Sequence, residues 1–367
     1  MNKIISLPHL GPYYIPIKYI IKSTTKCQVL IPNQNDKQTI NLGSKYSPEE
    51  ICMPFKYQLG NYLNALNNGA NILIQAGGGC RYGYFAELQE QVLKSLGYQF
   101  TFVNLIKNNH VSVFKMYKFA KKINKKLNIL KYFYYLINGF LMIIYMDKLN
   151  NYLRKNMGYE EIPDSFEKQE KQFYQEYSKD NLNLIQIIKI YYKYKKIYHQ
   201  IKLKNIPRTK VLLIGELFSL IDTNSSNNLE RTLIKEQIEV IRYTDLTYLL
   251  LTKKFIHPYL LYKAKKYLKY SLGADGAVSV SHAIRHAKNN IDGIIHLKSF
   301  SCVPEINAIP ILNEVSEDYQ VPILYLSFDG QNNISNIDTK LEAFYDMIKA
   351  RKQNLNKIKP PTNISKK

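Results

Sequence analysis

The sequence predicts an α/β protein of two parallel-sheet lobes with a helical insert between them. Three observations carry that expectation. Residues 71–104 read as strand (NILIQ), glycine turn (Gly77-Gly78-Gly79-Cys80), helix over about 84–96 closed by Gly97, and a second strand over 99–104. A unit of that kind joins parallel neighbours. From about 110 to 205 lysine and tyrosine recur with apolar residues in a helical pattern without a clear strand, and Pro207 ends the stretch. After Pro207 the α/β rhythm returns. The expected domains are therefore residues 1–109, 110–206 and 207–352, followed by a basic tail, 353–367, expected to be disordered. With 367 residues, 46% hydrophobic and 13% aromatic, the chain has material for several cores and is globular.

Taken in order, residues 1–46 offer one strand, 27–32, in otherwise irregular structure. Ser47-Pro48-Glu49-Glu50 has the pattern of a helix start, with serine as cap, proline at the first position and glutamate at the third. Cys52 follows that turn, and Pro54 restarts the chain into a helix over about 55–66. In the second lobe, residues 210–214 (KVLLI) are a strand, followed by Gly215-Glu216, a polar loop through Asn227-Asn228, a helix and a strand over 239–242. A helical stretch over about 258–270 leads to the turn Gly273-Ala274-Asp275-Gly276. A helix over 281–288, the strand 293–297 (GIIHL), a helix over 306–315, the strand 323–327 and a helix over 341–351 complete the lobe.

The formal charge of +22 raises a nucleic-acid reading. Lysine, asparagine, isoleucine and tyrosine are all abundant, while arginine is scarce and tryptophan absent, as A/T-rich coding would produce. Zinc-finger and RNA-recognition signatures are missing as well, so no nucleic-acid partner is expected. Residues 132–146 carry no charge, but about fifteen residues fall short of the roughly 20 that span a bilayer, and Asn138 and Gly139 interrupt them. A buried helix is expected there, with no membrane association. Residues 185–204 hold Lys189, Lys193, Lys195, Lys196, Lys202 and Lys204 among isoleucine and tyrosine. That pattern is an amphipathic helix with a solvated basic face, or more sharply a partner-docking surface. The N-terminus shows no signal-peptide pattern, since its apolar run is broken by Pro8, His9 and Gly11. Four cysteines are too few for a disulfide scaffold, and a cytoplasmic protein with reduced thiols is expected.

The informative feature is where three of those cysteines lie. Cys52, Cys80 and Cys302 each sit at a chain reversal beside glycine or proline, where a thiol faces outward to bind metal or react. Cys80 and Cys302 each follow the carboxyl end of an expected strand and precede a helix, the edge where open parallel sheets bind ligands. Three thiolates suit a [4Fe–4S] cluster with one iron open, or zinc with a fourth ligand. Their wide dispersion does not match the close pairs of a zinc finger and is acceptable for a cluster held between lobes. Gly78 and Gly79 let backbone N–H groups approach cluster sulfur, and Arg81 offsets the negative charge of thiolates. Cys27 lies within an expected strand and reads as core. His282 and His286 are one helical turn apart but lack the glutamate of a zincin motif, and read as exposed or capping. His296 reads as a core or supporting residue.

At these residues the chain resembles the 2-hydroxyacyl-CoA dehydratase component superfamily, in particular the branch called CoA protein activase or dehydratase-activase-related. The matching blocks are residues 42–60 (LGSKYSPEEICMPFKYQLG), 77–85 (GGGCRYGYF), Gly215-Glu216 with Asn227-Asn228-Leu229-Glu230, 257–276, and 291–344 from IDGIIHLKSFSCVPE to Leu341-Glu342-Ala343-Phe344. The resemblance implies flavodoxin- or Rossmann-like lobes and an oxygen-sensitive [4Fe–4S] cluster, with Cys52, Cys80 and Cys302 at the matching ligand positions; related proteins carry a double-cubane cluster. It further implies an ATP-dependent activase of the actin-like ATPase fold that delivers one electron at low potential, and a homologous or identical subunit completing a dimer. In the characterised dehydratases the electron reaches an acyl-CoA thioester, and the resulting ketyl radical expels hydroxide. The activity implied is therefore a lyase or an ATP-coupled reductase component, the alternative being a non-catalytic scaffold subunit with a structural cluster or zinc. Two departures bear on substrate or partner contact: Asp329-Gly330-Gln331 stands where the branch has Asp-Glu-His, and Lys340 where it has arginine.

Overall fold

The computed structural model describes residues 2–75, 80–107, 110–328 and 334–358. The first lobe begins with β1 (Ile4–Ser6), α1 (Tyr14–Thr25), β2 (Gln28–Leu30), α2 (Lys37–Ser44) and α3 (Met53–Asn67). It continues through β3 (Ile72–Gln75), a 3₁₀ turn over Arg81–Tyr84, α4 (Phe85–Ser95) and β4 (Thr101–Asn104), then a short antiparallel pair, β5 (Ile106–Lys107) and β6 (His110–Val111). The insert is helical, with α5 (Val113–Ile123), α6 (Ile129–Asn156), α7 (Ser165–Tyr177) and α8 (Leu184–Gln200). The second lobe opens with β7 (Thr209–Gly215), α9 (Leu217–Ile221), α10 (Leu229–Lys235), β8 (Ile238–Arg242) and α11 (Lys253–Ala264). It closes with α12 (Gly276–Ala287), β9 (Gly293–Ser299), α13 (Val303–Tyr319), β10 (Ile323–Phe328) and α14 (Ile334–Ile358).

Both lobes are built on four-stranded, wholly parallel sheets, ordered β2-β1-β3-β4 and β10-β9-β7-β8. Counted in chain order within each lobe, the two sheets have the same arrangement: second, first, third, fourth. The crossovers therefore diverge between β1 and β3 in one lobe and between β7 and β9 in the other. At such a point the loops leaving neighbouring strands part and open a crevice at the carboxyl edge of the sheet. Cys80 comes after β3 and Cys302 after β9, so each lobe carries its thiol at that crevice.

Several expectations for residues 1–52 are overturned. The supposedly irregular start contains β1, an inner strand of its sheet, together with α1 and α2. At three residues β1 is too short for any hydrophobic period to register. Pro16 lies in the first turn of α1, where a missing N–H costs nothing. The helix expected to start at Ser47 does not form. The Ser47 hydroxyl instead donates back to the Gly43 carbonyl at 2.7 Å, closing the end of α2. The chain then turns, and the helix begins at Met53 with Cys52 as its N-cap residue and Pro54 in its first turn. The tail expected to be disordered from 353 is helical as far as Ile358.

The insert does not stand apart. Tyr132, Met142, Met146, Phe166, Phe173 and Tyr198 of the insert join Tyr13 and Tyr19 of the first lobe and Val211, Leu233 and Ile295 of the second in one core. Burying each such side chain contributes roughly 1.5–3 kcal/mol. The uncharged stretch 132–146 is the middle of the 28-residue α6, which by length and composition is apolar enough to cross a membrane. Here its polar residues are tied inward: Asn138 donates to Tyr19 Oη at 3.0 Å, and Asp147 accepts from the Tyr13 hydroxyl and from Thr247 N–H at 2.8 Å.

Asp222, at the end of α9, fastens the two lobes together. Its fully buried carboxylate accepts from Gly11 N–H at 3.0 Å and from Asn35 Nδ2 at 2.9 Å, lies 3.2 Å from His9 Nδ1, and accepts from Ser225 N–H at 3.0 Å. Three of those partners come from the loops of the first lobe. Replacing Asp222 with alanine leaves them buried without an acceptor, and is expected to lower unfolding stability by about 3–5 kcal/mol. A denaturant titration checks this, and a variant within 1 kcal/mol of wild type, order of magnitude, would contradict it.

Candidate functional site

Each of the three site cysteines lies at the start of a helical turn. Cys52 precedes α3 and Cys302 precedes α13, both with extended backbone, and Pro54 and Pro304 pre-set the first turns behind them. Cys80 precedes the 3₁₀ turn, its Sγ accepting from Tyr82 N–H at 3.5 Å. Glu216 and Asp275 hold the same position before α9 and α12. Glycine places both acids. Gly215 has φ 137°, and a Cβ there would meet the Leu297 carbonyl oxygen at 1.8 Å, so only glycine lets the end of β7 lie against β9. A Cβ on Gly276 would come 2.3 Å from the Pro304 carbonyl oxygen, so glycine lets the starts of α12 and α13 pack together.

The two lobes meet at these loops. Met53 N–H, next to Cys52, donates to Ser299 Oγ at 2.8 Å, and Arg81 Nη2, next to Cys80, donates to the Ser301 carbonyl at 2.9 Å. Asp275 pairs with Lys253 at 3.0 Å and accepts from Leu217 N–H at 3.4 Å, joining three helical segments around the rim. Cys52, Cys80 and Cys302 thus belong to one inter-lobe cleft, and the charge that all three sense is Glu216.

Burial dominates the electrostatics. The Glu216 carboxyl is pushed up to about 7 by burial, against the bonds it takes from Ser219 Oγ at 2.7 Å, the Ser299 backbone and Cys302. The Cys52 thiol is pushed up to about 12 by burial, then by Glu216 and Cys80. Cys302 is raised well above the ordinary thiol range by burial, Glu216 and Glu305. Cys80 is raised too, chiefly by burial. Lys298, on β9, is held below the usual lysine range by burial, with Cys302, Glu216 and Glu305 opposing. Without a bound cation these thiols keep their protons at neutral pH. A soft metal that displaces the protons would supply the missing positive charge, and the surrounding helix N-termini favour the negative charge of thiolates.

Among the described residues, no three His, Cys, Asp or Glu side chains lie close enough together to hold one metal ion. Cys27 stays with the core of the first lobe, as expected. His296 is fully buried, its Nε2 2.7 Å from Glu305 Oε2, and Ser279 Oγ donates to the other carboxylate oxygen at 3.2 Å. The exposed or capping reading of His282 and His286 is wrong. Tyr243 stacks on His282 at 4.6 Å between ring centroids and lies 4.9 Å from His286. Burial lowers the two imidazoles to about 3 and about 4, so both are neutral packing rings. Gly78, Gly79 and the Asp329-Gly330-Gln331 departure lie outside the described residues, while Lys340 is exposed on α14. Sequence reasoning gave Glu216, Asp275, Lys298 and Glu305 no role. A usable signal existed for Glu216, since Gly215-Glu216 ends an apolar strand just before a helix, as Cys302 does.

In metal-free, reduced protein, Cys52 and Cys302 are expected to react slowly with iodoacetamide near neutral pH, with rates still rising through about pH 10. Glu216→Gln removes a neighbouring negative charge, which lowers the Cys302 thiol and speeds its alkylation at a given pH. Fast, pH-independent alkylation of both thiols, or no change in the variant, would contradict the electrostatic account. No family model matches the chain, and no curated protein matches it.

Proposed function

We propose that the chain is an iron–sulfur protein of the 2-hydroxyacyl-CoA dehydratase component type, with Cys52, Cys80 and Cys302 holding a [4Fe–4S] cluster between the lobes. One observation carries this reading: the segments bearing Cys52 and Cys80 in the first lobe are tied to the Ser299–Ser301 segment just before Cys302 in the second, and all three thiols feel the charge of Glu216. The donor set fits the group, being three soft sulfurs, two of them half-buried and Cys80 open to solvent. That no three ligands suit a single ion is compatible with it, because cysteines on a cluster bind different irons and stand farther apart than the ligands of one ion. The common strand order of the two sheets is the one with which flavodoxin-like lobes begin, which supports the finer reading of the fold.

When bound, the cluster supplies one-electron transfer at low potential. The chain's own part is to hold and insulate it. Arg81, tied to the Ser301 carbonyl, keeps a positive charge beside the thiols, and the Phe55 and Glu305 N–H groups in the first turns of α3 and α13 favour negative charge on the Cys52 and Cys302 thiols. Gly78 and Gly79 belong to this reading as positions of close backbone approach. The electron donor in this reading is an ATP-dependent activase of the actin-like ATPase fold. The acceptor is an acyl-CoA, dehydrated or reduced; a homologous or identical subunit completes the dimer, and the setting is cytoplasmic.

The test is the iron, sulfide and zinc content of anaerobically purified wild type and of Cys52→Ala, Cys80→Ala and Cys302→Ala. The reading expects about four irons and four sulfides per chain, lost in each variant, or about eight for a double-cubane cluster. Zinc alone, or no metal in well-folded protein, would overturn it and favour a scaffold subunit.

A further inference from the structure

The positive charge of this chain is unevenly spread. Residues 110–206 carry 19 lysines and arginines against eight aspartates and glutamates, a net +11, whereas residues 207–352 carry 18 against 16. Coding bias would raise lysine everywhere, yet half of the net charge lies in the helical insert. The only arginine of those residues, Arg154, is buried and faces Glu230 at 3.8 Å, so the exposed cations are lysines.

Those lysines flank an apolar surface. Leu130 (79% exposed), Phe133, Tyr134 and Ile137 (55%) form one stripe on the N-terminal half of α6. Such i, i+3, i+4, i+7 spacing places them on a single helix face. The helix α8 runs alongside, with Leu184 N–H donating to Tyr134 Oη at 3.4 Å and Tyr145 stacked on Tyr191 at 4.1 Å, and it adds Ile185 (63% exposed) to the same end. Lys122, Lys125, Lys126 and Lys131 lie immediately before and within this stripe, all exposed. Acids nearby are already neutralised, Asp180 by Lys22 at 2.5 Å and Glu176 by Lys193 at 2.5 Å.

We infer that this end of the insert is a docking surface for an anionic lipid bilayer, on which the protein sits peripherally. Aliphatic and aromatic side chains that enter the headgroup boundary, ringed by lysines that meet lipid phosphates, are the combination such a surface needs. Nucleic acid fits less well. Its readers use arginine forks, absent from this exposed face, and make no use of Leu130, Ile137 or Ile185. The helix α6 lies on the bilayer rather than across it, because Asn138 and Asp147 hold its other face in the core. The site is independent of the cysteine cleft.

Flotation with phosphatidylglycerol–phosphatidylcholine vesicles tests this on the full chain. The wild type should float with anionic vesicles, fail to float with pure phosphatidylcholine, and detach in high salt. The variants Lys125→Glu/Lys126→Glu and, separately, Leu130→Ser/Ile137→Ser change only exposed side chains, so both should fold, as circular dichroism checks. Each should weaken binding about tenfold or more. Absence of binding to anionic vesicles, or binding by either variant as tight as that of the wild type, overturns the inference. So does a chain that binds duplex DNA through the same lysines, or dimerises through the apolar stripe, while ignoring vesicles.

Discussion

The buried carboxylate of Asp222 sets the geometry on which the rest depends. It gathers His9, Gly11 and Asn35 from the first lobe and Ser225 from the second onto one charge. A carboxylate with no access to water is stable only while its donors stay in place. That requirement fixes the loop after β1 against the end of α9, and so holds the carboxyl edge of the first sheet toward that of the second. A second buried knot, in which Asp147 takes bonds from Tyr13 and Thr247, does the same between α1, α6 and the segment after β8. The lobes are thus held together by polar contacts that tolerate little displacement, with the insert's aromatic core packed behind them.

The cleft follows from that fastening. Each lobe alone offers one divergence point at the end of its sheet, with a helix N-terminus beside it. Bringing the two edges together places five capping residues, Cys52, Cys80, Glu216, Asp275 and Cys302, around one inter-lobe region. The electrostatics then have a definite sense. Backbone N–H groups favour negative charge, while burial and the repulsion of Glu216 oppose it, so the thiols stay protonated until a cation arrives. Metal binding at such a place would release protons and stabilise the joint between the lobes.

Much of this was legible in the sequence, and the failures have physical causes. The strands β3, β7, β8, β9 and β10 are apolar runs bounded by glycine, proline or polar turns, and they fall where those runs predict. Two parallel sheets and a helical insert follow from them, and so does the placing of Cys80 and Cys302 past the ends of strands. The strand β1 escaped because three residues carry no period, although it lies inside the first sheet. The Ser47 pattern misled because the hydroxyl was needed by the helix before it, a choice that only the packing of α2 on α3 decides. Glu216 and Asp222 take their importance from partners far away in the chain, Glu305 from a histidine on the preceding strand, and no local pattern reports that. The histidines His282 and His286 were misplaced for the same reason, since Tyr243 covers them from another element.

The central claim is that three cysteines from two lobes serve one iron–sulfur centre. Anomalous diffraction at the iron edge, from crystals grown and frozen without oxygen, tests it most directly. The account predicts iron density in the inter-lobe cleft, bonded to Cys52, Cys80 and Cys302 of a single chain. An empty cleft in iron-replete crystals, or iron bound by the cysteines of one lobe alone, would contradict it.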